Sequence, residues 1–180
     1  MTLQELWALF PIVLAPHDDR WAGWAADETA RLRRLLGPSC VAIHHVGSTA
    51  VRGIWAKPII DLLAVTDDRA RFPHLKDRLL RAGYRCMSET PGRLSFNRGY
   101  TPQGFAERVF HLHLRLVGDE DEVCFRDYLR AHADVAQAYE QLKRSLWKQF
   151  EHDRDGYTAA KTAFVRHYTA VAKGEAAAGI

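Results

Sequence analysis

The chain has 180 residues, of which 47% are hydrophobic and 26% are charged, proportions that are typical of a globular protein. Its formal net charge of +3 suits a small anionic ligand but is too low to indicate nucleic-acid binding. The three cysteines match neither a disulfide framework nor a zinc-binding pattern. Because the sequence shows neither a signal-peptide pattern nor an apolar run of about 20 residues, we expect a cytoplasmic protein that does not bind membranes.

The first predicted element is a helix. Hydrophobic residues recur at helical spacing from Trp21 to Leu36, after an N-cap candidate at Asp18 or Asp19. The dipeptide Gly37-Pro38 follows and would end the helix.

Two apolar strands are predicted next, over residues 41–46 and 59–65, and the second contains Asp61. A carboxylate inside such a strand is costly unless a metal, a cation or N–H donors meet it. The turn Gly47-Ser48 ends the first strand and offers backbone N–H groups and a hydroxyl, which suit phosphate oxygens. The combination favours metal-assisted nucleotide handling. An ordinary turn and a structurally paired Asp61 are the alternatives.

The middle of the chain alternates helix and strand signals. A helix around residues 75–80 would end at Gly83, and residues 84–89 and 93–98 read as a hairpin. Residues 99–106 contain Gly, Pro and Gly, so we predict a loop that covers a site.

Residues 108–117 alternate between apolar and polar side chains, which predicts a strand with one buried face. The polar face carries His111, His113 and Arg115. Two histidines two positions apart on a strand can meet one transition-metal ion, with His45 or Asp61 as a third ligand. Hydrogen bonding to a substrate or to a neighbouring side chain is the alternative.

Beyond Gly118 the pattern is helical, and helices are predicted near residues 121–132, 134–150 and from 156 onward. The order of elements predicts one α/β (α+β) domain over residues 1–180. It would have a mixed sheet of about five strands within residues 17–118 and a C-terminal helical subdomain over residues 119–173.

Several motifs resemble those of the GrpB family, and the resemblance covers about residues 17–170. The longest are Val46-Gly47-Ser48-Thr49, Ala56-Lys57-Pro58-Ile59-Ile60-Asp61, Arg93-Leu94-Ser95-Phe96-Asn97-Arg98, His111-Leu112-His113, Phe125-Arg126-Asp127-Tyr128-Leu129-Arg130, Tyr139-x3-Lys143 and Tyr157-x3-Lys161. This family belongs to the nucleotidyltransferase-fold superfamily, and related domains occur fused to dephospho-CoA kinase. The resemblance therefore implies a nucleotidyltransferase-like fold.

In that superfamily a Gly-Ser turn binds nucleotide phosphates, and two carboxylates on the next strand hold Mg²⁺ together with a third on a later strand. Asp61 matches the first carboxylate, but Leu63 stands where the second would be, and His111 and His113 occupy the later strand. His44 stands where family members often carry Glu. An enzyme would need a hidden second acid, for which Glu89, Glu107 and Asp127 are the candidates.

The predicted site follows from these motifs. Asp61 and His113 are the catalytic candidates, and Asp61, His111 and His113 are the metal candidates. The phosphate-binding candidates are Gly47, Ser48, Thr49, Lys57, Arg93, Arg126, Lys143 and Lys161. Arg93 is preferred over Arg98 because it shares a face with Ser95 and Asn97. Lys57 could instead be a solvated surface charge, and Arg126 could form a structural ion pair with Asp127.

Three functions remain open at this point. The first is a nucleotidyltransferase-like enzyme that binds a nucleoside triphosphate with Mg²⁺ and transfers a nucleotidyl group to a small acceptor. The second is a catalytically silent module of the same fold that binds a nucleotide or a CoA-type ligand. The third is a phosphoester hydrolase with a transition metal at His111 and His113.

Overall fold

The structure is a computed structural model, and it describes residue 5 and residues 8–179. The first four residues, which contribute to the expectation about a signal peptide, lie outside the described part. From Arg20 onward the α-helices and strands are α1 Arg20–Leu36, β1 Ala42–Val46, β2 Ile60–Thr66, α2 Phe72–Arg81, β3 Arg85–Thr90, β4 Arg93–Thr101, β5 Gly104–Leu116, α3 Asp121–Ala131, α4 Ala133–Trp147 and α5 Arg154–Ala178.

The strands form one mixed sheet in the order β1-β2-β5-β4-β3. The central pair, β2 and β5, is parallel, with Asp61 opposite His111 and Leu63 opposite His113. The other neighbouring pairs are antiparallel. The predicted mixed sheet of about five strands is therefore confirmed.

One face of the sheet carries the main hydrophobic core. Helices α1 and α2 cover it, and Leu32, Leu36 and Leu75 are fully buried there. A buried ion pair also fastens α1 to this face, because Glu28 on α1 bonds Arg98 on β4 at 2.5 Å. The side chain of Glu28 is only 4% exposed, so the pair belongs to the folded scaffold.

Helices α3, α4 and α5 lie over the opposite face of the sheet. Val123 on α3 packs against Leu63 and Val65 of β2, so the position of the missing second carboxylate is covered by apolar side chains. The helical region continues to Ala178 rather than ending at residue 173. The alanine-rich end favours helix, and Gly179 then adopts the left-handed conformation that ends it.

The prediction of a loop over residues 99–106 is wrong. These residues complete strands β4 and β5 as a hairpin with a turn at Pro102-Gln103. The register shifts between Arg98 and Tyr100. This bulge at Gly99 brings Tyr100 to the face of the sheet that carries His111. A hairpin turn of this kind also contains Pro and Gly, so the composition alone did not separate it from a loop.

Among the described residues, none of the helices combines the length and the apolar character that crossing a membrane requires.

Candidate functional site

The Gly-Ser turn and Asp61 lie side by side because β1 and β2 are antiparallel and Val46 is opposite Asp61. Gly47 has a φ of 72°, and a Cβ added there would lie 3.1 Å from Cγ of Asp61. Only glycine satisfies both conditions. Ser48–Ala50 then form a 3-10 turn, and the first N–H groups of a helical turn have no partner within it. The geometry offers amide donors next to a carboxylate.

Asp61 is held by the two histidines of β5. Its Oδ1 lies 3.3 Å from Nδ1 of His111 and 4.0 Å from Nε2 of His113. Burial raises the pKa of the Asp61 carboxyl, but the hydrogen bond and the electrostatic attraction of His111 outweigh it, with smaller contributions from His113 and Lys57 when these are protonated. The pKa therefore falls below its usual value. Asp61 is therefore ionised at neutral pH.

Both histidines also have neighbours on the hairpin strands. The Tyr100 hydroxyl lies 2.9 Å from Nε2 of His111, and Oγ of Ser95 lies 3.1 Å from Nδ1 of His113. Burial lowers the pKa of His113, and Arg115 lowers it further against the opposing effect of Asp61. His113 is thus a neutral imidazole that can accept a proton.

Three lysines converge on the same place from three parts of the chain. Lys57 follows the Gly-Ser turn, Lys143 lies on α4, and Lys161 lies on α5. Together with Asp61 they line a cavity of about 180 Å³. The cavity is lined by Gly47, Ser48, Thr49, Lys57, Ile59, Asp61, His111, Tyr139, Lys143, Tyr157 and Lys161; we call it the lysine pocket.

The segment before β2 is fixed from two sides, which positions Lys57. Ala56 exchanges backbone hydrogen bonds of 2.9 and 3.0 Å with Ala15. Trp55 donates its N–H to Oε2 of Glu140 at 3.0 Å, and its carbonyl accepts from Nζ of Lys143. Lys143 therefore has a structural bond as well as a place in the pocket, whereas Lys57 is held through its own backbone.

The environment of the lysines makes their positive charge costly. Burial lowers the pKa of Lys57 to about 7, and Lys161 and Arg154 lower it further. Burial also lowers the pKa of Lys143 to about 7, with Lys161 acting in the same direction. Burial lowers the pKa of Lys161 to about 8, although Asp61 opposes the shift. The negative charge of a bound anion would offset both the burial of the lysines and their mutual repulsion.

Two tyrosines form the wall between the lysines. The ammonium groups of Lys57 and Lys161 lie 5.5 and 4.2 Å from the ring centroid of Tyr157, and Lys143 lies 4.9 Å from that of Tyr139. The Tyr157 hydroxyl is buried without a hydrogen-bond partner in the described chain. Neither tyrosine was predicted from the sequence as a site residue, although each precedes a lysine by four positions on the same helix face.

Two of the predicted phosphate-binding residues lie outside the lysine pocket. Arg93 pairs with Asp119 and lines a neighbouring cavity, which it shares with Gly47 and Ser48. Arg126 donates to the carbonyl of His45 at 2.8 Å and bonds Asp127, so it joins α3 to the end of β1.

The candidates for a hidden second acid do not line the pocket. Glu89 pairs with Lys76, and Asp127 pairs with Arg126. Glu107 lines two other cavities. Glu122 on α3, which was not a candidate from the sequence, is closer to the chemistry because its charge opposes the lowering of the His113 pKa. The position of Glu122 depends on how α3 packs against the sheet, and no sequence motif predicts that packing.

The donor set does not fit a Mg²⁺ site built by the protein alone. Asp61 is the single carboxylate among the described residues that line the lysine pocket. In the described ranges, no group of three His, Cys, Asp or Glu side chains is placed to hold a metal, whereas two-ion catalysis uses several carboxylates. Mg²⁺ at Asp61 and a transition metal at His111 and His113 stay predictions, which metal analysis of the purified protein can test.

The chain is similar to known proteins in sequence and in fold. The family model described as GrpB protein matches residues 11–170. The chain is 36% identical over 157 residues to a UPF0157 protein of Pseudomonas aeruginosa, covering 86% of this chain and 64% of that protein. It is 30% identical over 170 residues to the UPF0157 protein YqkA of Bacillus subtilis, covering 91% and 49%. The chain thus spans less than two thirds of either relative.

The fold is also similar to those of solved structures. The crystal structure of the conserved protein GrpB from Enterococcus faecalis matches with a TM-score of 0.78 and 27% identity, covering 89% of this chain and 96% of that one. The structure of Cid1 in complex with its short product ApU matches with a TM-score of 0.50 and 12% identity, covering 78% of this chain and 42% of that one. The second likeness shows the fold alone, and it confirms the predicted nucleotidyltransferase-like fold.

Proposed function

The chain belongs to the GrpB family, and from this premise and the geometry of the lysine pocket we propose that it binds a nucleoside triphosphate by its phosphates. The observation that carries the proposal is the convergence of Lys57, Lys143 and Lys161 beside the Gly47-Ser48 turn. Backbone N–H groups and ammonium groups are the donors that phosphate oxygens require.

The charge balance of the pocket supports an anionic ligand. Three lysines face one carboxylate, Asp61, among the described lining residues. Like charges gathered in a partly buried cavity destabilise one another unless a counter-ion joins them. A triphosphate would supply that counter-charge.

The same balance bears on the role of Mg²⁺. In the wider superfamily carboxylates hold the ions that neutralise the phosphates, but here Leu63 replaces the second carboxylate and is fully buried. The lysines can supply the positive charge directly. We therefore expect triphosphate binding that depends little on Mg²⁺, which corresponds to the binding module rather than to the two-ion enzyme.

Calorimetric titration tests the proposal with ATP, GTP, CTP, UTP, CoA and inorganic triphosphate, each with and without Mg²⁺. Lys57→Met and Lys161→Met should each lower triphosphate affinity about ten- to hundredfold, because each removes a charge-assisted hydrogen bond. Lys148→Met is the matched control, since Lys148 pairs with Glu151 on the surface. Equal triphosphate affinities for the wild type and the three variants would refute the phosphate site. Tighter binding of CoA than of the triphosphates would assign the pocket to a CoA-type ligand.

Asp61→Asn separates the two roles of the carboxylate because they predict opposite signs. If the lysines alone bind the phosphates, removing the negative charge should strengthen binding of metal-free triphosphate. If Asp61 carries a metal to the nucleotide, the same variant should weaken binding, and the loss should occur only when Mg²⁺ is present.

Nucleotidyl transfer to a small acceptor is the second candidate. It is favoured by the contact between Asp61 and the Gly-Ser turn, which matches the arrangement of the superfamily, and by the neutral His113 as a proton acceptor. The test is pyrophosphate release from each nucleotide in the presence of a pool of small acceptors. Release that requires the acceptor pool and is abolished in Asp61→Asn and His113→Gln, with triphosphate binding retained, would establish transfer. Wild-type protein that binds triphosphate without release would exclude it for those acceptors.

A further inference from the structure

A second cavity, of about 660 Å³, adjoins the lysine pocket and shares Lys57 and His111 with it. Its volume lies in the range of small-molecule sites. Phe10, Met87 and Tyr100 contribute apolar surface to its walls. A ligand whose phosphates occupy the lysine pocket can therefore extend directly into an apolar chamber.

The floor of this second cavity is a row of polar side chains across the sheet. Pairing of the strands sets Asp61 opposite His111, His111 opposite Asn97, and Asn97 opposite Arg85. Residues that are opposite one another on neighbouring strands share a face of the sheet. Asn97 thus stands next to the histidine that connects the two cavities.

The Asn97 amide lacks good hydrogen-bond partners in the free protein. Its side chain donates to Sδ of Met87 at 2.9 Å, and a thioether is a weak acceptor. Its Oδ1 is buried, with no partner among the described residues, and Asn97 is only 4% exposed. A buried amide in this condition is unusual and costly, and this one lines a cavity.

We infer that the second cavity binds the base of the nucleotide and that Asn97 selects adenine and cytosine. This inference rests on the proposed function, because the phosphates are placed in the lysine pocket. Adenine and cytosine each present an amino donor beside a ring-nitrogen acceptor, which is the complement of an amide C=O and NH₂ pair. The terminal torsion of Asn is broad, so a small rotation presents the amide edge to the cavity.

The apolar walls fit a planar ring. The thioether of Met87 and the ring of Tyr100 are soft or aromatic surfaces of the kind on which flat heterocycles pack. Tyr100 is held in place by its hydrogen bond to His111 and by Phe10, whose ring centroid is 4.8 Å away. The surface beside Asn97 is thus already formed.

The test compares ligand pairs that differ only in the group Asn97 would read. ATP should bind about tenfold or more tightly than inosine triphosphate, and CTP should exceed UTP to a similar degree. The oxo bases present an oxygen acceptor and an N–H donor in the reverse order, so they pair with the amide only if it flips and gives up its bond to Met87. Asn97→Leu, which keeps the volume and removes the amide, should abolish both preferences and leave inorganic triphosphate affinity unchanged. Equal affinities within both pairs in the wild type would overturn the inference.

Two further measurements distinguish a failure of the base site from a failure of the proposed phosphate site. Adenosine against inosine probes the second cavity without phosphates, so a preference there would stand even if inorganic triphosphate did not bind and the proposed function failed. Met87→Ala is a variant at a residue that is 60% exposed, so folding should survive. It should weaken adenosine binding severalfold without changing inorganic triphosphate affinity, and unchanged adenosine binding would contradict the placement of the base.

Discussion

Gly47 shows at the scale of one residue how the site excludes side chains. Its backbone has a positive φ, and a Cβ there would collide with the carboxylate of Asp61. Gly53 provides a comparison within the same loop, because its φ is 82° but nothing lies within 4 Å of an added Cβ. The two glycines therefore share a positive φ, which would strain any replacement, and they differ in the contact with Asp61.

Gly47→Ala should consequently cost more than Gly53→Ala. Both should lose about 1 kcal/mol of unfolding free energy from the strained φ, and Gly47→Ala should lose about 1–3 kcal/mol more from overpacking. Urea unfolding of the two variants measures the difference. Combining Gly47→Ala with Asp61→Ala should recover most of the additional loss, whereas purely additive free energies would show that the two residues do not interact.

Much of this residue-scale arrangement could be predicted from the sequence. A carboxylate within an apolar strand and a Gly-Ser turn are both unusual enough to be noticed, and the antiparallel pairing then brings them together. Tyr100 could not be placed in this way, since strict alternation puts it on the face of Arg98. A bulge at Gly99 reverses its direction, and bulges leave little trace in a single sequence.

The attachment of α1 to the back of the sheet operates at the scale of elements. Glu28 accepts hydrogen bonds from Arg31 at 2.8 Å, from Arg98 at 2.5 Å and from the Tyr84 hydroxyl at 2.6 Å. Arg31 lies on α1, Arg98 lies on β4, and Tyr84 directly precedes β3. The helical spacing of apolar residues predicts α1 itself. Glu28 lies on the same helix face, but the sequence does not show which residues it contacts.

Glu28→Ala should destabilise the fold without affecting the site. Removing the buried carboxylate leaves the partly buried guanidinium groups of Arg31 and Arg98 without their counter-ion, which should cost about 3 kcal/mol of unfolding free energy. Chemical unfolding measures the loss. Inorganic triphosphate affinity of the folded variant should equal that of the wild type, because Glu28 and the lysine pocket lie on opposite faces of the sheet; a loss of affinity would show that the faces are coupled.

The convergence of the lysines is a property of the whole molecule. The loop before β2, α4 and α5 each supply one, so the pocket exists only when the helical region covers the sheet. The sequence predicted the helices by their periodicity, whereas the family resemblance alone suggested that Lys143 and Lys161 belong to one site. Periodicity tells which face of a helix is buried, but it does not tell what that face meets.

The combined titration of these lysines gives the pH dependence. In the free protein Lys57 and Lys143 lose their protons near pH 7, and Lys161 near pH 8. A triphosphate needs them charged and raises their pKa, so affinity should fall progressively as the pH rises through about 7 and 8. Calorimetry at pH 8 in buffers of different ionisation enthalpy should reveal proton uptake on binding. Lys161→Met should reduce that uptake, and proton release would contradict the scheme.

The parallel pairing of β2 with β5 has a consequence for how the molecule assembles. Ile60 pairs with Phe110, about 50 residues later, whereas β3, β4 and β5 form consecutive hairpins whose partners are close in sequence. Contacts between distant segments form late because they must first overcome the entropy of closing a long loop. Asp61 meets His111 only across that distant pair. The ability to bind ligand should therefore be the last property that a newly made chain acquires, well after its hairpins have formed.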